Sequence, residues 1–280
     1  MQRRVLGRTG EDLSILGLGG VVVDAVEQEE ANRIVAEAVD RGLNYFDVAP
    51  RYGDAEERLG PALKPYREKV FLACKTAERA RQNASSQLES SLWRLQTDHL
   101  DLYQLHALEP EDVETVFRLG GAMEALQAAK EAGKVRFLGF SSHSVQAALE
   151  AMQRFQFDTI LFPVNFACWF SGFGPQVLEM ARERGLGRLA LKAIARSAWP
   201  EGAKRNWKKL WYQPLEERDL IQLAVRFTLS QEVTATVGPG EPELFRIALE
   251  AAENFRPLDE EEMKRLRAFA DTLTSLFALA

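Results

Sequence analysis

The stretch FDVAPRYGDAEERLGPA, residues 46–62, places an acid and a phenol, Asp47 and Tyr52, at the end of a short apolar run. The next two apolar runs end near Lys75 and His106, 28 residues beyond Asp47 and a further 31 on. Each interval is about one strand, one loop and one helix. That period sets the three side chains at the C-terminal ends of successive strands. Neighbouring strands lie about 4.8 Å apart, so side chains aimed at a common axis share one hydrogen-bond network. Tyr52, followed by Gly53, lies on the loop leaving the first of these strands, where its ring can turn back over the other three groups.

The same rhythm runs through the chain. Residues 3–14 read as two brief strands turning at Gly10. Short apolar strands are expected at 15–19, 43–46, 70–74, 100–105, 135–140, 159–162, 189–191 and 233–237. Helical periodicity falls between them at 27–41, 55–63, 81–95, 119–132, 145–152, 175–184, 215–229 and 242–252. Several strands are apolar at consecutive positions, as expected when both faces of a parallel sheet are covered. Eight strand–helix pairs fit a closed (β/α)8 TIM barrel with an N-terminal β-hairpin, and residues 259–277 read as an extra C-terminal helix capped by Asp259 with Glu262. An open doubly wound sheet would carry GxGxxG after its first strand, where this chain has only GLGG at 17–20. Nothing in the composition divides residues 1–280, so a single barrel domain is expected.

Composition narrows the function classes. The 280 residues are 46% hydrophobic, ample for one sizeable core. A formal charge of −6 gives no electrostatic footprint for nucleic acid or an anionic membrane surface. Basic runs such as Lys204, Arg205, Lys208 and Lys209 read as a solvated face. Two cysteines without CxxC spacing, and an opening without the apolar core of a leader, point to a reducing cytoplasm. Three dispersed histidines and the lack of HExxH argue against a metal site. The expected partner is a small molecule, and the expected state a monomer or a dimer.

The four grouped side chains suggest a polarising site. An isolated tyrosine, with a pKa near 10, is a poor proton donor at neutrality. A Lys75 ammonium beside Tyr52 favours the phenolate, and Asp47 holds that ammonium in place. His106 completes the set as a hydrogen-bond partner for a carbonyl oxygen. Such a site supplies a proton but no electron pair, so the missing nucleophile is naturally a hydride from a nicotinamide cofactor. Two other readings stay open: a nicotinamide-nucleotide-binding redox sensor or structural subunit with little turnover, and an isomerase or lyase that turns over without nucleotide.

At this point the chain resembles the aldo-keto reductase family. The opening RVLGRTGEDLSILGLGG is similar to the family's hairpin and first strand, NYFDVAPRYGDAEERLG to its signature, FLACKT to its lysine segment and DLYQLHAL to its histidine segment. GKVRFLGFSSHS, FDTILFPVN and GLGRLALKAIARS follow in the family's order. The resemblance implies a (β/α)8 barrel reducing an aldehyde or ketone, with Tyr52 as general acid, Lys75 and Asp47 tuning it, and His106 orienting the carbonyl. It also implies NADP as cofactor, with NAD as the alternative. Ser141, Ser142, Asn165 and Leu191 match the positions that hold the nicotinamide, and Gly238, Gly240 and Glu241 those near the phosphates.

Several of these positions depart from the family pattern. Ser142 stands for an asparagine, Leu161 for a glutamine and Leu191 for a stacking tyrosine. Glu241 stands where a 2′-phosphate would want a cation, which favours NADH; Lys192, Arg196 and Arg246 are candidates to replace that cation. Val21 to Val23, Trp169, Phe170, Arg51 and the loop 195–214, with Trp199, Trp207, Trp211 and Tyr212, are expected to line the substrate pocket or its rim.

Overall fold

The structure, a computed structural model, describes residues 1–278. Its strands are β1 Arg3–Val5, β2 Asp12–Ser14, β3 Leu16–Gly19, β4 Tyr45–Asp47, β5 Phe71–Thr76, β6 Leu100–Leu108, β7 Val135–Ser142, β8 Thr159–Pro163, β9 Gly187–Leu191, β10 Ala195–Ala198, β11 Tyr212–Pro214 and β12 Ala235–Val237. Its helices are α1 Gln28–Asp40, α2 Ala55–Leu63, α3 Arg81–Arg94, α4 Pro110–Phe117, α5 Ala122–Glu131, α6 Val145–Arg154, α7 Phe166–Phe170, α8 Pro175–Glu183, α9 Arg218–Leu229, α10 Pro242–Glu253 and α11 Glu260–Ala270. A closed parallel barrel runs β12-β3-β4-β5-β6-β7-β8-β9, and β1 and β2 pair separately as an antiparallel hairpin. The expected barrel, hairpin and extra C-terminal helix are all present.

Two apolar shells hold the barrel. The interior is filled by Leu6, Leu13, Tyr45, Phe71, Leu102, Leu161 and Leu189, so the hairpin contributes Leu6 and Leu13 directly to the barrel core. The outer shell lies between strands and helices. The interior is tight: a Cβ added at Gly17 would stand 2.3 Å from the Tyr45 ring, closer than any real contact. Leu161 therefore belongs to the barrel core, and Leu191 packs at the edge of the same cluster.

Four local expectations change. The helix expected over 119–132 starts at Ala122, because Gly120 takes φ +77° and Gly121 serves as its N-cap. The segment before it forms α4, started by Pro110 and a capping box between Glu109 and Asp112. The loop 195–214 folds its ends into an antiparallel ribbon, β10 with β11. The C-terminal helix has the Asp259–Glu262 capping box but ends at Ala270 rather than running to 277, closing with turn bonds from Thr272 N to Phe269 O and Leu273 N to Ala270 O. Thr272, Thr274 and Ser275 crowd that point, and such residues compete for backbone hydrogen bonds. The helix is docked by Arg226 on α9, which donates to both Glu262 oxygens and to Arg256 O and Pro257 O. The chain beyond it then runs as a tail that brings Phe277 against Phe173 and His143.

Candidate active site

Asp47 and Lys75 lie on adjacent strands, β4 and β5, at the C-terminal end of the barrel. Both are fully buried and form an ion pair through Lys75 Nζ and Asp47 Oδ1. Lys75 Nζ also donates to Val48 O at 3.2 Å. The second Asp47 oxygen accepts from Tyr45 Oη at 3.2 Å and from Gln104 Nε2 at 3.3 Å. Burial works against the Lys75 ammonium, but the attraction of Asp47 outweighs it and holds the pKa above the ordinary lysine value. Tyr45 and Gln104 do not stand out from sequence. The signal was period two: each sits two residues before a site residue on the same strand, hence on the same face.

Tyr52 turns back over this pair from the loop after β4. Lys75 Nζ is 5.1 Å from the centre of its ring, and the His106 ring stands edge-on at 5.8 Å and 89°. The expectation that Lys75 brings the phenol below its ordinary pKa is corrected here. Burial raises it by more than Lys75 lowers it, so Tyr52 is held protonated.

His106 sits at a break in the β6–β7 register between Leu105 and Leu108, where Ala107 takes φ +50°. Such bulges re-aim a side chain. This one is clamped by Arg79, whose Nη2 donates to His106 O at 2.9 Å and Ala107 O at 3.1 Å, and by Ser141 Oγ, which accepts from Ala107 N at 2.8 Å. Burial, and then the Lys75 charge, push the His106 pKa down to about 2, so the imidazole is neutral, and its buried Nδ1 has no partner among the described residues.

The loop bearing Tyr52 is positioned by a glycine. Gly53 has φ +56°, and a Cβ there would stand 1.9 Å from Asp24 Oδ1, the oxygen that accepts from Asp54 N at 3.1 Å. Asp54 Oδ1 in turn accepts from Ala25 N at 2.7 Å, locking this loop to the one after β3. Gly53→Ala is expected to cost about 1–2 kcal/mol in backbone strain and to lower kcat by about tenfold or more, since small misplacements of a reacting group are expensive. Unchanged kcat in the folded variant would contradict this role for Gly53.

A cavity of about 340 Å³ opens beside these groups. It is lined by Asp47, Arg51 and Tyr52, by Leu191, Lys192, Ala193 and Ile194, and by Val237, Gly238, Pro239 and Gly240. Val21 and Trp211 are also on its wall. Ser141, Ser142 and Asn165 are buried and do not line it. Ser141 Oγ accepts from Ala107 N in the His106 bulge and keeps its O–H available to donate. Ser142 Oγ donates to Leu108 O at 2.7 Å and accepts from Ser144 N at 3.0 Å. Asn165 caps α7 through its amide oxygen, while its amide nitrogen is buried without a partner. Trp169 and Phe170 face away, each edge-on to Phe227 on α9, because α7 turns them outward. Arg246 pairs with Glu37 on α1.

Lys209 departs from the solvated face expected for its run. Its backbone N–H donates to Glu241 Oε1 at 2.8 Å, and its Nζ donates to Val22 O at 3.0 Å. The segment before β11 thereby spans the cavity from the loop after β3 to the turn after β12, with Lys209 and Leu210 on the wall. Glu241, expected near the ribose, is in this way partly occupied by a backbone donor. Among the described residues no helix is long and apolar enough to cross a membrane, and no cluster of three or more potential metal ligands is found.

The closed barrel thus holds a buried Asp–Lys pair beneath a tyrosine that burial keeps protonated. The sequence profile of the aldo/keto reductase family matches residues 15–271, and the chain belongs to that family. It is 26% identical over 304 residues to the uncharacterized oxidoreductase YqkF of Bacillus subtilis, covering 96% of each chain. It is 27% identical to the L-galactose dehydrogenase of Arabidopsis thaliana, over 74% of this chain and 70% of that one. The holo form of aldo-keto reductase AKR11C1 from Bacillus halodurans superposes with a TM-score of 0.72 at 26% identity, over 96% of both chains. The protein is an oxidoreductase of aldo-keto reductase type acting on small carbonyl compounds.

Proposed function

We propose that the protein reduces an aldehyde or ketone to an alcohol with NADPH, NADH being the alternative donor, and that Tyr52 delivers the proton. The observation that carries this reading is Tyr52, held protonated on the wall of a cavity and within reach of both the Lys75 ammonium and the His106 ring. When bound, the nicotinamide nucleotide supplies a hydride to the carbonyl carbon. The carbonyl oxygen then gains negative charge and takes the Tyr52 phenolic proton. Lys75, fixed by Asp47, stabilises the phenolate left behind. His106, neutral, hydrogen-bonds the same oxygen without competing as an acid. Tyr45 and Gln104 keep Asp47 oriented, so the electrostatic work is done by groups that need no rearrangement.

The residues fit a dinucleotide. The Asn165 amide nitrogen is a buried donor with no partner, suited to a carboxamide oxygen. Gly240 and, beyond Pro242, which has no N–H, Glu243 and Leu244 at the start of α10 offer backbone N–H groups that suit a phosphate, and Lys209 adds a cation on the same wall. This cation, with the family's usual preference, inclines us to NADP. Lys209→Ala is expected to weaken NADPH binding by about tenfold, the loss of one charge-assisted contact, read by quenching of tryptophan fluorescence. Equal affinity in the variant would remove Lys209 from the phosphate grip.

A second reading, nucleotide binding with little turnover, is favoured by Ser142, which stands where the family has an asparagine and whose hydroxyl is committed to Leu108 O. The test is the decay of NADPH and NADH absorbance over a broad panel of aldehydes and ketones. Tight nucleotide binding with no oxidation anywhere in the panel would replace the reductase reading by the second.

A further inference from the structure

Lys192 is a cation on the cavity wall that the proposed mechanism does not use. Its Nζ lies 2.6 Å from His143 Nε2, 5.0 Å from the centre of the Trp211 ring and 5.5 Å from that of Phe277. His143 stacks on Phe277 at 5.2 Å and 13°. Burial, and then the Lys192 charge, hold His143 neutral, with a pKa near 3, so the ammonium donates to an imidazole that brings no compensating charge. Burial lowers the Lys192 pKa to about 7, so the side chain is only partly protonated near neutrality, and no protein carboxylate acts on it to restore the charge. Asp47 is committed to Lys75, and Asp112 to Arg79. The ring faces attract an ammonium but do not neutralise it. In its protonated form the group has three donors, one of them used on His143, and an anion bound beside it would hold the charge that burial opposes.

That anion belongs to the substrate side. In the barrel, β9 stands between β8 and β12. To reach His143, which follows β7, the Lys192 side chain crosses β8 and so leans away from the Gly238–Gly240 turn that follows β12. The Gly238–Gly240 turn shares its wall with another cation, Lys209. A phosphate dianion calls for several converging donors, usually including arginine. One ammonium in an aromatic enclosure matches a single negative charge.

We infer that Lys192, oriented by His143, recognises a carboxylate at the far end of the substrate, so that the preferred substrates are oxo acids: small aldehydes or ketones that also carry a carboxylate. This rests on the reduction proposed at Tyr52 and leaves its chemistry unchanged. His143 acts as a positioning residue, fixing the ammonium through its Nε2.

The test compares matched pairs: 4-formylbenzoate with 4-formylbenzamide, and succinic semialdehyde with methyl 4-oxobutanoate. In the wild type, kcat/KM for the acid is expected to exceed that of its uncharged partner at least tenfold, the difference lying in KM. Lys192→Met brings this ratio close to one, Lys192→Arg largely retains it, and His143→Asn raises KM for the acids several-fold with little change in kcat. Independently of turnover, benzoate but not benzamide quenches tryptophan fluorescence of the wild type, and Lys192→Met loses most of that response. A wild-type ratio near one, or a ratio that survives in Lys192→Met, overturns the inference while leaving the reductase reading intact. Should Lys192→Met not fold, Lys192→Gln replaces it, and the wild-type pairs already decide. If no carbonyl in either series is reduced, the functional proposal fails and this inference with it.

Discussion

Replacing Tyr52 with phenylalanine is expected to lower kcat for carbonyl reduction by about 10²–10⁴-fold, the usual contribution of a positioned general acid. The substitution removes one oxygen and keeps the ring that packs against Lys75 and His106, so nucleotide affinity should stay within a few-fold. Stopped-flow absorbance at saturating nucleotide separates the two quantities. Turnover equal to wild type would remove Tyr52 from the proton-donating role. The pH profile carries a linked expectation. Burial raises the Tyr52 pKa, so the acid form is present throughout neutrality and is lost only as pH rises beyond the ordinary tyrosine range. His106, down to about 2, contributes no step near 6.5. With an uncharged aldehyde and saturating nucleotide, kcat is therefore flat from pH 6 to 9, and a titration near 6.5 that persists in Lys192→Met, whose parent lysine titrates near 7, would show that His106 acts as an imidazolium.

Lys75→Met is expected to damage both activity and stability. The phenolate formed at Tyr52 loses its cation, and kcat should fall by about 10²-fold or more. Asp47 is left buried with only Tyr45 and Gln104 as side-chain donors, and breaking a buried pair from one side typically costs about 3–5 kcal/mol. Removing both charges together, as Asp47→Asn with Lys75→Met, should recover part of the stability but none of the activity. Urea denaturation of the single and double variants checks this. Recovery of stability distinguishes an unpaired charge from lost packing, because the methionine fills a similar volume in both variants. Equal stability of the single and double variants would mean that Asp47 is satisfied without Lys75.

Much of the framework was legible because it depends on local pattern. Consecutive apolar runs at a repeat of about thirty residues, with helical periodicity between them, allow few arrangements besides a closed parallel barrel. The same repeat aligns Asp47 with Lys75 at strand ends. Boundaries were less legible where short-range bonding competes: Gly120 and Gly121 delay α5, and Thr272 with its neighbours ends α11 early. The ribbon β10–β11 was missed because its pairing joins residues that no short window contains.

The candidate site divides along the same line. Residue type and spacing along the chain were enough to nominate Asp47, Tyr52, Lys75 and His106, since strand repeats convert sequence distance into proximity. Tertiary structure alone decided the environment of each group. Burial, a property of the whole fold, reverses the expected direction for Tyr52 and holds His106 neutral. Long-range packing takes Ser141 and Ser142 from the cavity to hold the bulge and strand end beside His106, draws Lys209 out of a basic run into the cavity wall, and turns Trp169 and Phe170 away. It also brings Lys192 to His143 and Phe277 from three distant segments. Desolvation and contacts between remote parts of the chain leave no periodic trace in the sequence, whereas strand and helix periodicity must.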